Sequence, residues 1–390
     1  MAEPVYLDYA ATSAIRPEAV IEAVTEYLRD IGATPGRSGH RRAIEAGRVM
    51  LRCRQALAEL FGIAGDPGRI AFQFNATHAL NTALFGLLNA GDRVVRTAYD
   101  HNAVRRPIAA LRLRGVREIV LSGRPDGGID LDEAEQALRG ARLLVLPHAS
   151  NVIGALLPVA ELAERAHAQG ALVLLDACQT AGHLPVQPND LRVDLLAFTG
   201  HKGLLGPQGT GGLWVREGIE VAPLLLGGTG GDSDSEGMPG LLPDRLEAGS
   251  QNGPGLAGLL AGVRWVLEQQ PNTLHERESR LKAQLFAQLH ATAGVRVHSP
   301  ASPDGVGIVT LTADILDAAT LAGRLDREHG VLARAGLHCA PGAHAALGTE
   351  RAGALRLSLG WASTQAEVDR AADAIRQVCG AKTPEPVEVM

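Results

Sequence analysis

The sequence carries no excess of positive charge: 37 Lys and Arg stand against 43 Asp and Glu, a formal charge of -6. That balance removes the electrostatic case for a nucleic-acid partner, which calls for a basic face. No apolar run approaches the roughly 18 residues of a membrane span, so no membrane insertion is expected. The opening "MAEPVYLDYA" has neither a basic flank nor an apolar core, and no secretory signal is read there. No C-x-x-C pair is present, which excludes the common zinc and thiol-exchange patterns. The four cysteines, Cys53, Cys178, Cys339 and Cys379, are widely spaced. In a large chain without a signal they are expected to be free thiols in a reducing cytoplasm. The phosphate-loop spacing G-x-x-x-x-G-K-[ST] and internal repeats are both absent.

The 390 residues are 46% hydrophobic and 21% charged, which suits a compact protein of about two domains. From about residue 69, short apolar runs alternate with amphipathic stretches: "RIAFQF", "THALNTALFGLLN", "RVVRTA", "NAVRRPIAALRLRG", "EIVLS", "LDEAEQALRG", "ARLLVLPHAS", "PVAELAERAHAQG", "ALVLLDAC". The pattern predicts an α/β fold with a mainly parallel sheet covered by helices on both faces. After residue 255 it changes to long helices near 255–270 and 275–293, strands at "GVGIVTLT" and "ALRLSLG", and a last helix over 364–378. A large α/β domain over 15–254 and a smaller α+β domain over 255–380 follow, with the helix near 17–30 assigned to the small one. Residues 227–240 are expected to be a mobile loop and 381–390 a disordered tail.

In such a sheet ligands bind beyond the carboxyl ends of the strands, where several polar residues fall. Asp176 closes "ALVLLDA"; it is either a structural cap or salt-bridge partner, or a carboxylate holding a pyridinium nitrogen. Gln179 follows three residues later. Thr77 opens a helix and either caps it or offers free amides to a phosphate. His101 and His201 lie near strand ends, where a lone histidine is most often structural. Lys202 sits in the glycine-rich "AFTGHKGLLGPQGTGGLWV", as a surface lysine or as an amine held for covalent chemistry with a carbonyl cofactor. In "RAGLHCAPGAH", Cys339 is surrounded by Arg334, His338 and His344, a cationic setting on an exposed loop that favours a reactive thiolate over an inert thiol. Three metal donors there are too few for a convincing site.

Together these pieces resemble the class V aminotransferases, fold-type-I pyridoxal-phosphate enzymes, and within them the cysteine desulfurase and selenocysteine lyase family. The resemblance runs from "YLDYAAT" to "LRLSLGWAST" and is carried by "NATHALN", "DHNAVRRP", "PHASNVIG", "LLDACQTAG", "LLAFTGHKGLLGPQGTGGL", "DRLEAGSQN" and "GLHCAPGAH", in family order. It implies that Lys202 bonds covalently to pyridoxal phosphate and moves protons, that Asp176 pairs with the pyridine nitrogen, and that Gln179 meets the ring's phenolic oxygen. His101 would stack on the ring and share in proton transfer. Ala76, Thr77, Thr199 and His201 would hold the phosphate, with Ser250 reaching it from the second subunit of a homodimer. Asn151, Arg356 and Arg334 would bind substrate, with Arg356 suited to a carboxylate.

The implied reaction converts L-cysteine to L-alanine and leaves the sulfur as a persulfide on Cys339, for a thiol or sulfur-acceptor protein to collect. L-selenocysteine is the alternative substrate. Transamination, other carbon–sulfur lyase chemistry and a weakly active sulfur-relay scaffold are the alternative functions. Three positions depart from the family pattern: Ser250-Gln251-Asn252 replaces threonine-proline-asparagine, Cys178 replaces alanine, and Gly342 is expected to loosen the Cys339 loop.

Overall fold

The computed structural model describes residues 3–35, 38–230, 234–301 and 304–380. The tail 381–390 and part of the loop at 227–240 lie outside the described residues. Its centre is a seven-stranded sheet in the order Ile70–Gln73, Gly211–Val215, Leu195–Thr199, Leu172–Asp176, Leu143–Pro147, Arg93–Thr97, Arg117–Leu121. Only Gly211–Val215 runs against its neighbours; the other pairings are parallel. The apolar runs "LLVLP" and "LLAFT" are buried along their whole length, because helices cover both faces. One covering layer includes Leu57, Phe61 and Leu162, and the other Leu80, Leu84, Val104 and Ile108.

The chain goes outward from Arg93–Thr97 to Arg117–Leu121, then returns to the opposite side of Arg93–Thr97 with Leu143–Pro147. That reversal opens a crevice at the carboxyl ends of the strands, where a ligand has room. Pro147, Asp176 and Ala197 are register partners across the middle of the sheet, so the residues that follow them arrive at the same edge.

A second, antiparallel sheet has the order Arg334–Gly336, Ala354–Ser358, Ile308–Ala313, Val295–Val297. Helices Pro271–His290, Ala318–His329 and Gln365–Gly380 share its core. Val5 and Leu7 join that core, since Val5–Tyr6 pairs in parallel with Val331–Leu332.

Two expectations need correction. Helix Glu18–Glu26 does not join the small unit; it packs on helix Gly253–Gln269. That longer helix places Leu256, Leu259 and Val263 in the large sheet's core. The core therefore changes at Gln270, whose left-handed backbone (φ 61°) separates the two long helices, rather than at 254/255. The 20-residue helix Arg41–Leu60, which precedes the β/α alternation and has no expected counterpart, covers one face through Cys53, Ala56 and Leu57.

Candidate active site

The crevice encloses a cavity of about 280 Å³, near the small end of the range for small-molecule sites. Eleven of the thirteen residues expected in the site line it: Ala76, Thr77, His101, Asn151, Asp176, Gln179, Thr199, His201, Lys202, Arg334 and Arg356. Cys339 and Ser250 do not. Cys339 is the next residue after His338, which does line the cavity, and Ser250 is exposed and lies elsewhere.

Lys202 is not a surface lysine on a flexible loop. The loop from Thr199 to Gly211 folds inward, and burial lowers the Lys202 ammonium's pKa, opposed by the Asp176 carboxylate. Glycine is required there by close approach. A Cβ on Gly203 would meet the Ala181 carbonyl oxygen at 2.5 Å and the His183 ring at 2.5 Å. The facing Gly182 has no room for one either, since it lies against the Gly203 backbone.

Asp176 ends its strand 7% exposed, and its Oδ1 accepts a hydrogen bond from the Cys178 amide at 2.9 Å. Cys178 lines the cavity, and burial together with the Asp176 charge pushes its thiol pKa well above the usual value. His101 caps helix Asn102–Arg112 by accepting from the Ala103 amide at Nδ1, 3.0 Å away. Its ring proton is therefore on Nε2 in the neutral form. Burial lowers its pKa while Asp176 raises it. Burial also holds His201 near 4, with Lys202 and Arg16 adding to the effect.

The phosphate-site expectation meets a matching donor set. Helix Ala76–Leu87 begins at Ala76, and its cap is Asn75, not Thr77: Asn75 Oδ1 accepts from the His78 amide at 2.9 Å. The Ala79 amide donates to the Asn75 carbonyl at 3.1 Å. The first-turn amides of Ala76 and Thr77 have no acceptor within the helix, and both residues line the cavity. Beside them, Thr199 Oγ1 is buried with no hydrogen-bond partner among the described residues. Orphaned donors at a helix start are what an anionic group satisfies.

The substrate-facing residues are tied to one another. Arg356 and Arg334 are cross-strand partners, so their side chains share one face. Arg356, 1% exposed, donates to the Asn151 carbonyl at 3.0 Å and to Asp8 Oδ1 at 2.8 Å. Asn151 Nδ2 in turn donates to the His338 carbonyl at 2.6 Å, and Gln179 Nε2 donates to the Ala10 carbonyl at 3.2 Å. Both amide groups thus already hold protein backbone.

Around Cys339 the cationic neighbourhood is narrower than the sequence suggests. Arg334 Nη2 stands 3.9 Å from Sγ. Burial, first among its causes, takes His338 down to about 3 and His344 down to about 4, so both imidazoles are neutral at ordinary pH. The loop is half-buried rather than exposed, and the Asn102 amide holds the Cys339 carbonyl at 2.7 Å. Gly342 tightens it instead of loosening it. The residue belongs to helix Pro341–Leu347, and its missing Cβ lets that helix press on the Ala98 carbonyl.

Residues that sequence reasoning did not place in the site include Asn75, Tyr99, Ala10 and Ala11. Asn75 was legible as an N-cap type before a helical run, whereas nothing local in "YAA" signals a cavity wall.

The family model for class-V aminotransferases matches residues 5–371. A probable cysteine desulfurase of Pyrococcus abyssi is 33% identical over 356 residues, covering 87% of this chain and 85% of that protein. A probable cysteine desulfurase of Methanothermobacter thermautotrophicus is 32% identical over 385 residues, covering 96% and 95%. The apo structure of a cysteine desulfurase from Thermococcus onnurineus superposes with a TM-score of 0.88 at 30% identity, covering 97% of this chain and 95% of that one.

Proposed function

The chain belongs to the class-V aminotransferase family, and from that premise we propose that it is a pyridoxal-phosphate-dependent cysteine desulfurase. The single observation that carries the reading is the placement of Cys339. Its loop is fastened to the wall of the Lys202 cavity through Asn151 and to the start of helix Asn102–Arg112 through the Asn102 amide, with a guanidinium facing the sulfur. A transaminase has no need of a thiol held there.

Lys202, Asp176 and the Ala76–Thr77 helix start are suited to hold the cofactor's carbonyl carbon, ring nitrogen and phosphate, with Thr199 and His201 completing the phosphate cup. The orphaned Thr199 hydroxyl and the free first-turn amides support that fit. Ser250 would supply a further phosphate contact from a second copy of the chain in a homodimer. When bound, the cofactor supplies an electron sink for the pair released at the substrate's Cα.

The chain's own residues do the rest. Arg356 holds the substrate carboxylate, steadied by Asp8 and the Asn151 carbonyl. Lys202 Nζ, with its ammonium form disfavoured by burial, takes and returns protons near Cα. Cys339 Sγ attacks the substrate sulfur: a sulfur–sulfur bond forms, the Cβ–sulfur bond breaks, and its electron pair stays with carbon. Atoms balance as cysteine plus enzyme thiol giving alanine plus enzyme persulfide, and a second thiol then collects the outer sulfur.

The experiment is alanine formation from L-cysteine by cofactor-loaded protein with a reductant present, alongside Cys339→Ala. Alanine with matching sulfide, lost in the variant, is the expected result. Equal alanine from both proteins would overturn the assignment of Cys339, and none from the loaded wild type would overturn cysteine as substrate.

A further inference from the structure

From His338, on the cavity wall and next to Cys339 in sequence, a buried chain of side chains leads to Thr349. His338 Nδ1 and His344 Nε2 are 3.1 Å apart, and His344 Nδ1 lies 2.8 Å from Thr349 Oγ1. At the other end His338 Nε2 lies 3.3 Å from the Arg334 carbonyl. The two imidazoles meet edge to edge with their planes 25° apart and centroids 5.3 Å apart, and His338 and His344 are 3% and 0% exposed.

The chemistry of the partners fixes the direction of every bond. A carbonyl oxygen only accepts, so His338 carries its proton on Nε2. Its Nδ1 is then a lone pair and needs a donor, which places a proton on His344 Nε2. His344 Nδ1 must accept, and the Thr349 hydroxyl is the group that donates. All four ring nitrogens are satisfied with one proton on each ring. A further proton on His338 would sit on Nδ1 and set two N–H groups against each other, and one on His344 would turn the Thr349 hydroxyl away to the His344 carbonyl, 3.4 Å off.

The segment this chain reaches is one that needs holding. His338 and Cys339 are consecutive L-residues with φ of 49° and 58°, both left-handed. Such backbone persists where surrounding structure over-determines it. Thr349 sits at the far end of helix Pro341–Leu347 and leads through Gly353 into the strand that carries Arg356. The three side chains therefore link the thiol loop to the strand of the carboxylate-binding arginine.

We propose that His338, His344 and Thr349 form a neutral, one-directional hydrogen-bonded spine that positions the Cys339 thiol for attack. These are positioning residues, and the role rests on Cys339 being the sulfur acceptor.

The test uses the full-length, cofactor-loaded protein with His344→Leu, His344→Gln and Thr349→Val. Leucine removes both ring nitrogens, glutamine restores a donor toward His338 and an acceptor toward Thr349, and valine deletes only the hydroxyl. Persulfide formation on Cys339 in a single turnover is expected to slow by about 10-fold or more in His344→Leu, the size of one buried hydrogen bond of about 1.4 kcal/mol. KM and the visible cofactor band should stay near wild type, and His344→Gln should recover most of the rate. Wild-type persulfide formation in His344→Leu would overturn the proposal, as would a loss that glutamine does not rescue. If His344→Leu does not fold, Thr349→Val decides by the same readout. Backbone amide exchange over residues 334–343 is independent of chemistry: it should quicken in the leucine variant and recover with glutamine. It still tests the spine if the wild-type enzyme makes no alanine from cysteine.

Discussion

Gly203→Ala is the perturbation whose effect follows most directly from the packing around Lys202. Gly203 is not among the glycines with positive φ, so alanine costs nothing in backbone conformation. The whole effect is steric. Its new methyl would begin 2.5 Å from the Ala181 carbonyl oxygen and from the His183 ring, where such contacts essentially never fall below 3.0 Å and ordinary contact starts at 3.4 Å, so something must move by about 0.5–0.9 Å. The carbonyl belongs to buried backbone, and His183 is held by Glu278 at 2.9 Å. The loop carrying Lys202 is therefore the part that gives way. Overpacking of this kind costs about 1–3 kcal/mol of stability. A displacement approaching 1 Å at a reacting group costs on the order of 100-fold in rate. The assay pairs urea unfolding with turnover and the visible absorbance of the bound cofactor. Turnover should fall by about 10- to 100-fold while the protein stays folded. Gly47→Ala is the control: it lies within a helix with nothing within 4 Å of its added carbon, and should stabilise by about 0.5–1 kcal/mol with turnover unchanged. Wild-type turnover and absorbance in Gly203→Ala would refute the claim that this glycine sets the position of Lys202.

Arg54 and Glu247 form a buried pair, 7% and 5% exposed, with bonds of 2.6 and 2.7 Å. Arg54→Met should destabilise by about 3–5 kcal/mol in urea unfolding, and adding Glu247→Met should recover much of that, because the damage is the uncompensated carboxylate. Asp100 is fully buried with Oδ1 unpartnered among the described residues, and burial raises its pKa from the usual range to about 7. The unfolded carboxyl ionises near 4 and the folded one near 7, so the folded state loses stability as pH rises between those values. Asp100→Asn should gain stability relative to wild type from pH 4.5 to pH 8 in thermal melts. A constant difference across that range would refute the shift.

The seven-stranded sheet was legible because "ARLLVLPHAS", "ALVLLDAC" and "LLAFT" are continuous apolar runs of strand length separated by amphipathic stretches. Helix Arg41–Leu60 was less so, since its arginines and glutamates mask a buried stripe of Ala43, Ala46, Val49, Cys53 and Ala56. The cap at Asn75 was missed by two residues because Thr77 is itself a capping type. The N-terminal helix was assigned to the wrong core, since an amphipathic pattern states that a face is buried but not against what.

The candidate site divides in the same way. Asp176, His101, Thr77 and Lys202 follow strand ends, and in a parallel sheet strand ends converge, so local pattern alone brought them to one edge. Sequence also determined the residue types around Cys339. Only the tertiary structure decided their charge and their arrangement: His338 and His344 are neutral because burial makes protonation costly, and Arg334 is left facing the sulfur. Gly342 reads as a source of looseness until the Ala98 carbonyl is set against it, 244 residues away in the chain by number. Periodicity and composition act within a few residues along the chain. Desolvation and close contact depend on what the fold brings from far away.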